Sequence, residues 1–321
     1  MNLAPIIVFC YNRPDHLAQT FEALKNNELA SESELYVYCD GAKANASPEA
    51  IHNILTVRKL AKEQTWAKHT NVIESNENKG LAASIITGVT EVLEKYGRAI
   101  VLEDDLITAS SFLLYMNNAL NFYEHRKSVF SVGGFCPSRD KFAIPMDYQY
   151  DTFVCQRNTS WGWATWKDRW EQVDWGMDYM ETFLRDNSMQ SAFARGGDDI
   201  VPMLCQQYQG KINSWAVRFS WAHFYQHAVA IIPCETLVNN IGCDGSGTNC
   251  GASSIVLGKL SKKQQWKFVD CLYENADIVN AFYNVNCWKR RPFLERIINT
   301  LCRIIGMSAP FVIKRKIYAQ R

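Results

Sequence analysis

In its N-terminal third the chain alternates short apolar runs with helix-length segments, and this rhythm restricts the folds open to it more than any other feature. The apolar runs lie at 5–10, 35–39, 71–74 and 99–102, and helical patterns fill 15–26, 48–64 and 81–96 between them. Strands joined through helices pair in parallel, so the pattern predicts an α/β fold: a mostly parallel central sheet flanked by helices. Local signals agree, because Asp15 stands where it can cap the first helix and Pro48 stands at the start of the second.

In open parallel sheets, ligands bind beyond the carboxyl ends of the strands. The polar residues of this region cluster at those ends: Tyr11, Asn12 and Arg13; Asp40 and Gly41; 76–80; and Glu103, Asp104 and Asp105. The expectation is that these loops line one crevice.

With 321 residues, 47% of them hydrophobic and 21% charged, the chain can bury a large core, which excludes general disorder. A net charge of +1 lacks the basic excess of a protein whose main partner is nucleic acid, so no nucleic-acid role is expected. The eleven cysteines are scattered, odd in number and set mostly within apolar runs, which points to a reducing compartment. With no leader-like or membrane-spanning run, a cytoplasmic location is expected.

Beyond 112 the pattern predicts a helix to 126, a strand near 129–133, an aromatic-rich stretch and a second α/β portion to about 249. Three parts are expected: an α/β half over 1–110, a second half of the same domain over 111–255, and a helical basic extension over 256–321. Residues 289–321 carry nine Lys or Arg against the single acidic Glu295, interleaved with apolar residues at helical spacing. Such a stretch suits peripheral contact with an anionic membrane surface or packing on the domain.

The strongest chemical signal is the strand at 99–102 running directly into Glu103, Asp104 and Asp105. Three adjacent carboxylates at a buried strand end repel one another unless a cation or hydrogen-bond donors offset their charge. Their hard oxygens suit Mn²⁺ or Mg²⁺, and a diphosphate leaving group needs such a cation to stabilise its developing charge. Lys79 and Gly80 open a helix, where backbone N–H groups and a cationic side chain favour a phosphate.

The residues at 5–13, Asp40 with Gly41, Asn78 to Leu81 and Leu102 to Asp105 resemble GT-A glycosyltransferases, especially those similar to N-acetylglucosaminyltransferase I, and occur in the order found there. The residues at 160–166, 197–200, 210–215 and 237–242 are similar to bacterial family 2-like sugar transferases, so the likeness covers roughly residues 4 to 250. The resemblance implies a GT-A fold and transfer of a sugar, with inversion, from a nucleotide-diphosphate donor, UDP-sugar favoured, to a glycan or lipid-linked acceptor in bacterial surface polysaccharide or lipopolysaccharide assembly. It implies that Asp105 contacts the metal, that Asp104 lies nearer the ribose, that Glu103 supports the loop, that Arg13 faces the nucleotide and that Asp40 accepts from the base.

Transfer with inversion needs a general base for the acceptor hydroxyl, and Asp198 and Asp199 are the candidates, with Asp199 favoured by its place at a helix start, where it can also act as a cap. Trp161, Trp163, Trp166, Trp170 and Trp175 crowd one segment; Trp161 and Trp163, separated by Gly162, form the candidate wall of a sugar pocket. The glycine-rich stretch 239–249 suits a loop that closes over the pyrophosphate, but Asn249 stands where related sequences often carry histidine, leaving Asp105 as the one firm metal ligand. His223 and His227, spaced to share a helix face, read as structural because the sequence lacks the glutamate of an HExxH motif. Two other classes are weighed: a sugar-phosphate nucleotidyltransferase, disfavoured because no glycine-rich loop precedes Arg13, and a non-catalytic nucleotide-sugar-binding module, disfavoured because both acidic sites are intact.

Overall fold

The computed structural model of the chain describes residues 3–245 and 258–286. The N-terminal third follows the expected alternation: β1 (Ile6–Cys10), α1 (Pro14–Lys25), β2 (Glu34–Cys39), α2 (Pro48–Lys62), β3 (His69–Glu74), α3 (Leu81–Tyr96) and β4 (Arg98–Glu103). Then come β5 (Leu106–Thr108), α4 (Phe112–Tyr123), β6 (Val129–Gly133), β7 (Thr152–Cys155), β8 (Trp163–Trp166), α5 (Lys167–Trp170), α6 (Met180–Arg185), α7 (Asn187–Phe193), α8 (Ile200–Tyr208), α9 (Trp215–Tyr225), β9 (Val229–Pro233), β10 (Val238–Asn240) and α10 (Ala276–Val285).

Eight strands form one sheet in the order β3-β2-β1-β4-β8-β6-β9-β7. The first four pair in parallel, and β6 pairs in parallel with β9, whereas β8 runs antiparallel between β4 and β6 and β7 runs antiparallel on the edge beside β9. The mostly parallel α/β expectation therefore holds. Every residue of β1 is buried, and its two faces feed different cores. Ile6 and Val8 pack with Leu17, Phe21 and Leu24 of α1, while Ile7 and Phe9 pack with Ile85 and Val89 of α3. Full burial of each such side chain stabilises by roughly 1.5–3 kcal/mol, which holds the strand ends, and the loops that follow them, in fixed register.

Several expectations need correction. Asp15 lies inside the first turn of α1, which is capped at Arg13 without a side-chain bond, whereas Ser47 caps α2 by accepting from the Ala50 N–H and Pro48 begins that helix. His227 falls beyond α9 in a left-handed turn (φ 52°), so it shares no helix face with His223. His223 is fully buried, bonded to Ser131 Oγ (2.8 Å) and the Phe219 carbonyl (2.7 Å), and burial pushes its pKa down to about 4. In the expected helical extension, 258–275 has no helix; it lies along the domain, with Trp266 and Phe268 against the main core, before α10 begins. The basic stretch 289–321 lies outside the described residues. Among those described, no cysteine is in a disulfide and no helix is long and apolar enough to cross a membrane.

Candidate functional site

The parallel register sets Cys10 beside Cys39 and Phe9 beside Glu103, so the loops after β1, β2 and β4 leave the sheet at one level. They enclose a cavity of about 490 Å³. Of the residues singled out in the sequence, Tyr11, Asn12, Arg13, Asp40, Asn78, Gly80, Leu81, Glu103, Asp104, Asp105 and Trp161 line it.

At its floor Asp104 and Asp105 are 3% and 4% exposed. The turn that carries them is clamped from α1: Thr20 Oγ donates to the Asp104 carbonyl (2.8 Å) and accepts from the Leu106 N–H (3.2 Å). One nitrogen of Arg13, Nη2, donates to both carboxylates, to Asp104 and to Asp105 Oδ2 (2.9 Å). Burial pushes the Asp104 carboxyl up to about 6, with Asp105 adding to the rise and Arg13 opposing it. Burial also works against the Arg13 cation, but its two carboxylate partners outweigh this and raise its pKa.

Above this group lies the short antiparallel pair β5 and β10. The Ile241 N–H donates to the Asp105 carbonyl (2.9 Å), and Asn240 Nδ2 approaches Asp105 Oδ1 (3.3 Å). A Cβ at Gly242 would stand 2.0 Å from Asp105 Oδ2 and 2.7 Å from Arg13 Nη1, so only glycine permits this approach. The oxygen set suits Mn²⁺ or Mg²⁺ in donor type. Among the described residues no three acidic, histidine or cysteine side chains form a complete metal cage, but such ions are commonly held by one or two carboxylates plus substrate phosphates, a number that Asp104 and Asp105 supply.

Asp40 does not present a free carboxylate. Its Oδ1 accepts from the N–H groups of Gly41 (2.9 Å) and Lys79 (2.8 Å), and its Oδ2 accepts from Gly80 N–H (3.0 Å). The anion at the start of α3 is thus the protein's own, and the expectation that these amides face a phosphate is corrected; the Lys79 side chain is exposed and does not line the cavity.

The C-terminal half departs further from expectation. Trp161 lines the cavity with its ring edge-to-face on Phe135 (4.4 Å). Trp163 is 1% exposed and stacks between Trp170 and Trp215, so it is core rather than pocket wall. Gly162 adopts φ 60° and lies against the Phe112 ring, its carbonyl accepting from Gly134 N–H (2.7 Å); its small size is used by the protein interior. Asp199 is 0% exposed, outside the cavity lining, with its oxygens on Arg157 Nη1 (2.7 Å) and Nη2 (3.0 Å). The favoured base is therefore a buried ion-pair partner in this arrangement, and it makes no side-chain cap of α8. Asp198 beside it is half-buried and also outside the lining.

Sequence reasoning missed Lys43, which also lines the cavity, and gave no individual role to Ser160, Lys211, Asn213 and Asn240, which lie within the segments that carry the resemblance and line it too. Lys211 and Asn213 arrive there because Ser214 caps α9, accepting from Val217 N–H (3.3 Å), a serine-before-helix signal present in the sequence.

The family model described as "Glycosyl transferase family 2" matches residues 6–177, more than half of the chain and all of the strands that build the cavity floor. The chain belongs to glycosyl transferase family 2. Membership places it among the glycosyltransferases and gives the GT-A fold expected from sequence. No curated protein sequence matches the chain. Among solved structures, this family 2 chain resembles S. aureus TarS at 13% identity (TM-score 0.34), covering 54% of this chain and 30% of that one. It also resembles S. aureus TarS 1-349 at 11% identity (TM-score 0.39), covering 74% and 59%. The chain thus spans less than two thirds of either of these solved chains.

Proposed function

We propose that the protein transfers a sugar from a nucleotide-diphosphate donor, UDP-sugar favoured, to a hydroxyl of a glycan or lipid-linked acceptor, in a divalent-metal-dependent reaction with inversion. The surface-polysaccharide or lipopolysaccharide role belongs to the same reading, as does peripheral membrane contact through 289–321. The observation that carries it is the convergence of Arg13, Asp104 and Asp105 at the floor of a cavity also lined by Lys43, Lys211 and Trp161. Cations on the wall and paired carboxylates on the floor match the two halves of a metal-bound diphosphate.

In this reading Tyr11, Asn12 and Arg13 contact the nucleotide, and Asp105, with Asp104 beside it, holds Mn²⁺ or Mg²⁺. The cation supplies a Lewis acid for the departing diphosphate. Trp161 offers an apolar ring to the sugar, and Lys211 lies where a second positive charge meets the phosphates. Asp40 acts indirectly, by fixing the start of α3 against the loop after β2. The base is assigned to the Asp198–Asp199 pair, and for Asp199 to act Arg157 must release one of its oxygens when acceptor binds.

The test is release of free nucleoside diphosphate from a panel of UDP-, GDP- and dTDP-sugars, with Mn²⁺ or chelator, for the native chain and Asp105→Ala. Metal-dependent release from one donor, lowered on the order of a hundredfold or more by the substitution, is expected. No binding or turnover of any donor by the folded chain contradicts the reading.

A further inference from the structure

Arg13 and a divalent cation would compete for the same atoms. A cation bound at the floor must take electron pairs from Asp104 and Asp105, and one oxygen of each, Asp104 Oδ1 and Asp105 Oδ2, is already held by one guanidinium nitrogen, Arg13 Nη2. Asp105 has little room to turn away, because Asn240 stands at its Oδ1 and the Gly242 backbone at its Oδ2. Both carboxylates are buried, so removing Arg13 without a replacement would strand charge in a poorly solvated site.

We propose that Arg13 is an internal counter-ion that keeps the cation position closed until a nucleoside diphosphate arrives. The diphosphate gives the guanidinium an alternative anionic partner, with fork geometry suited to phosphate, at the moment the cation takes its place on the carboxylates. Cation and diphosphate therefore bind as a coupled pair, and by linkage each strengthens the other. Arg13 is a positioning residue that sets the order of loading. The inference rests on the donor-site reading above for its second partner, but the competition with the cation is a property of the free protein.

The experiment measures Mn²⁺ binding to the full chain by electron paramagnetic resonance, without nucleotide and with UDP, GDP or dTDP, alongside thermal melting with and without Mn²⁺. Wild type is expected to bind Mn²⁺ weakly alone and not to gain melting temperature from it. Arg13→Met is expected to bind Mn²⁺ alone roughly tenfold or more tightly than wild type, to melt higher when Mn²⁺ is added, and to lose most of the coupling to nucleotide. Adding Asp105→Asn to Arg13→Met should abolish that gain, which locates the cation on these carboxylates. An Arg13→Met chain that folds only in Mn²⁺ is the extreme form of the same result. Equal Mn²⁺ affinity of wild type and Arg13→Met, or a variant that stays unfolded at saturating Mn²⁺, overturns the proposal. If no nucleoside diphosphate binds wild type, the donor reading fails, while the comparison on Mn²⁺ alone still decides the role of Arg13.

Discussion

Each half of the molecule contains a buried arginine–carboxylate group, and the two are built for different ends. In the N-terminal half Arg13 bridges Asp104 and Asp105 with a single nitrogen at the floor of a cavity. In the C-terminal half Arg157 grips both oxygens of Asp199 in a bidentate fork, away from that cavity, beside the Gly196 carbonyl. The first pairs one cation with two adjacent acids and leaves Asp104 with a raised pKa; in the second, two guanidinium nitrogens hold the two oxygens of Asp199. An arginine–carboxylate contact alone therefore does not distinguish a donor-binding group from a carboxylate held away from the donor cavity. The two adjacent carboxylates lining the cavity mark the former.

The comparison breaks most easily at the second group. Removing one member of a buried pair strands the other, so Arg157→Ala should cost about 3–5 kcal/mol in urea unfolding while nucleotide affinity of the folded chain stays unchanged. Unchanged stability with lost nucleotide binding would exchange the two roles.

The next effect is a pH dependence that arises at Asp104 in the first group. Asp104 titrates near 6 in the fold against 3.8 ordinarily, so the native state holds its proton longer than the unfolded chain. Its contribution to stability is fully present below the lower value and is lost as pH rises through the upper one, by roughly 1–3 kcal/mol. Urea midpoints at pH 4 and pH 7 should show this loss in wild type relative to Asp104→Asn. Buried His223 acts oppositely, its contribution being lost as pH falls from 6.5 through about 4, so the comparison between variants isolates Asp104. A parallel pH response in Asp104→Asn would show that this carboxyl does not titrate as described.

Gly242→Ala sharpens the account of the first group by a similar or smaller amount. The added methyl must displace Asp105 or Arg13, which should cost about 1–3 kcal/mol and weaken Mn²⁺-dependent nucleotide binding. The smallest effect is expected from Asp40→Ala, which frees the amides of Lys79 and Gly80; loss of about 1 kcal/mol is expected by thermal melting, as for a removed helix cap.

The same contrast explains what the sequence made legible. Parallel strands bring their carboxyl ends to one edge by topology alone, so Tyr11, Arg13, Asp40 and Asp105 were recognisable together from strand period and polarity. Leu81–Tyr96 was bounded correctly because glycines flank both ends. In the C-terminal half, β8 enters the sheet antiparallel between β4 and β6, and no local pattern announces that insertion. It turns Trp163 inward onto Trp215 while Trp161, two residues earlier, meets the cavity. Arg157 and Asp199 are 42 residues apart, and a pairing across that distance leaves no periodic signal. Asn240 and Gly242 reach Asp105 only because β10 pairs with β5, a contact of two three-residue strands too short to read from sequence.

The most direct test of the central claim is hydrogen–deuterium exchange of the full chain with Mn²⁺ and UDP, GDP or dTDP. The account predicts slowed exchange at 10–13, 103–106 and 240–242, with 196–200 unchanged. Protection centred on 196–200, or none anywhere with all three nucleotides, would contradict it.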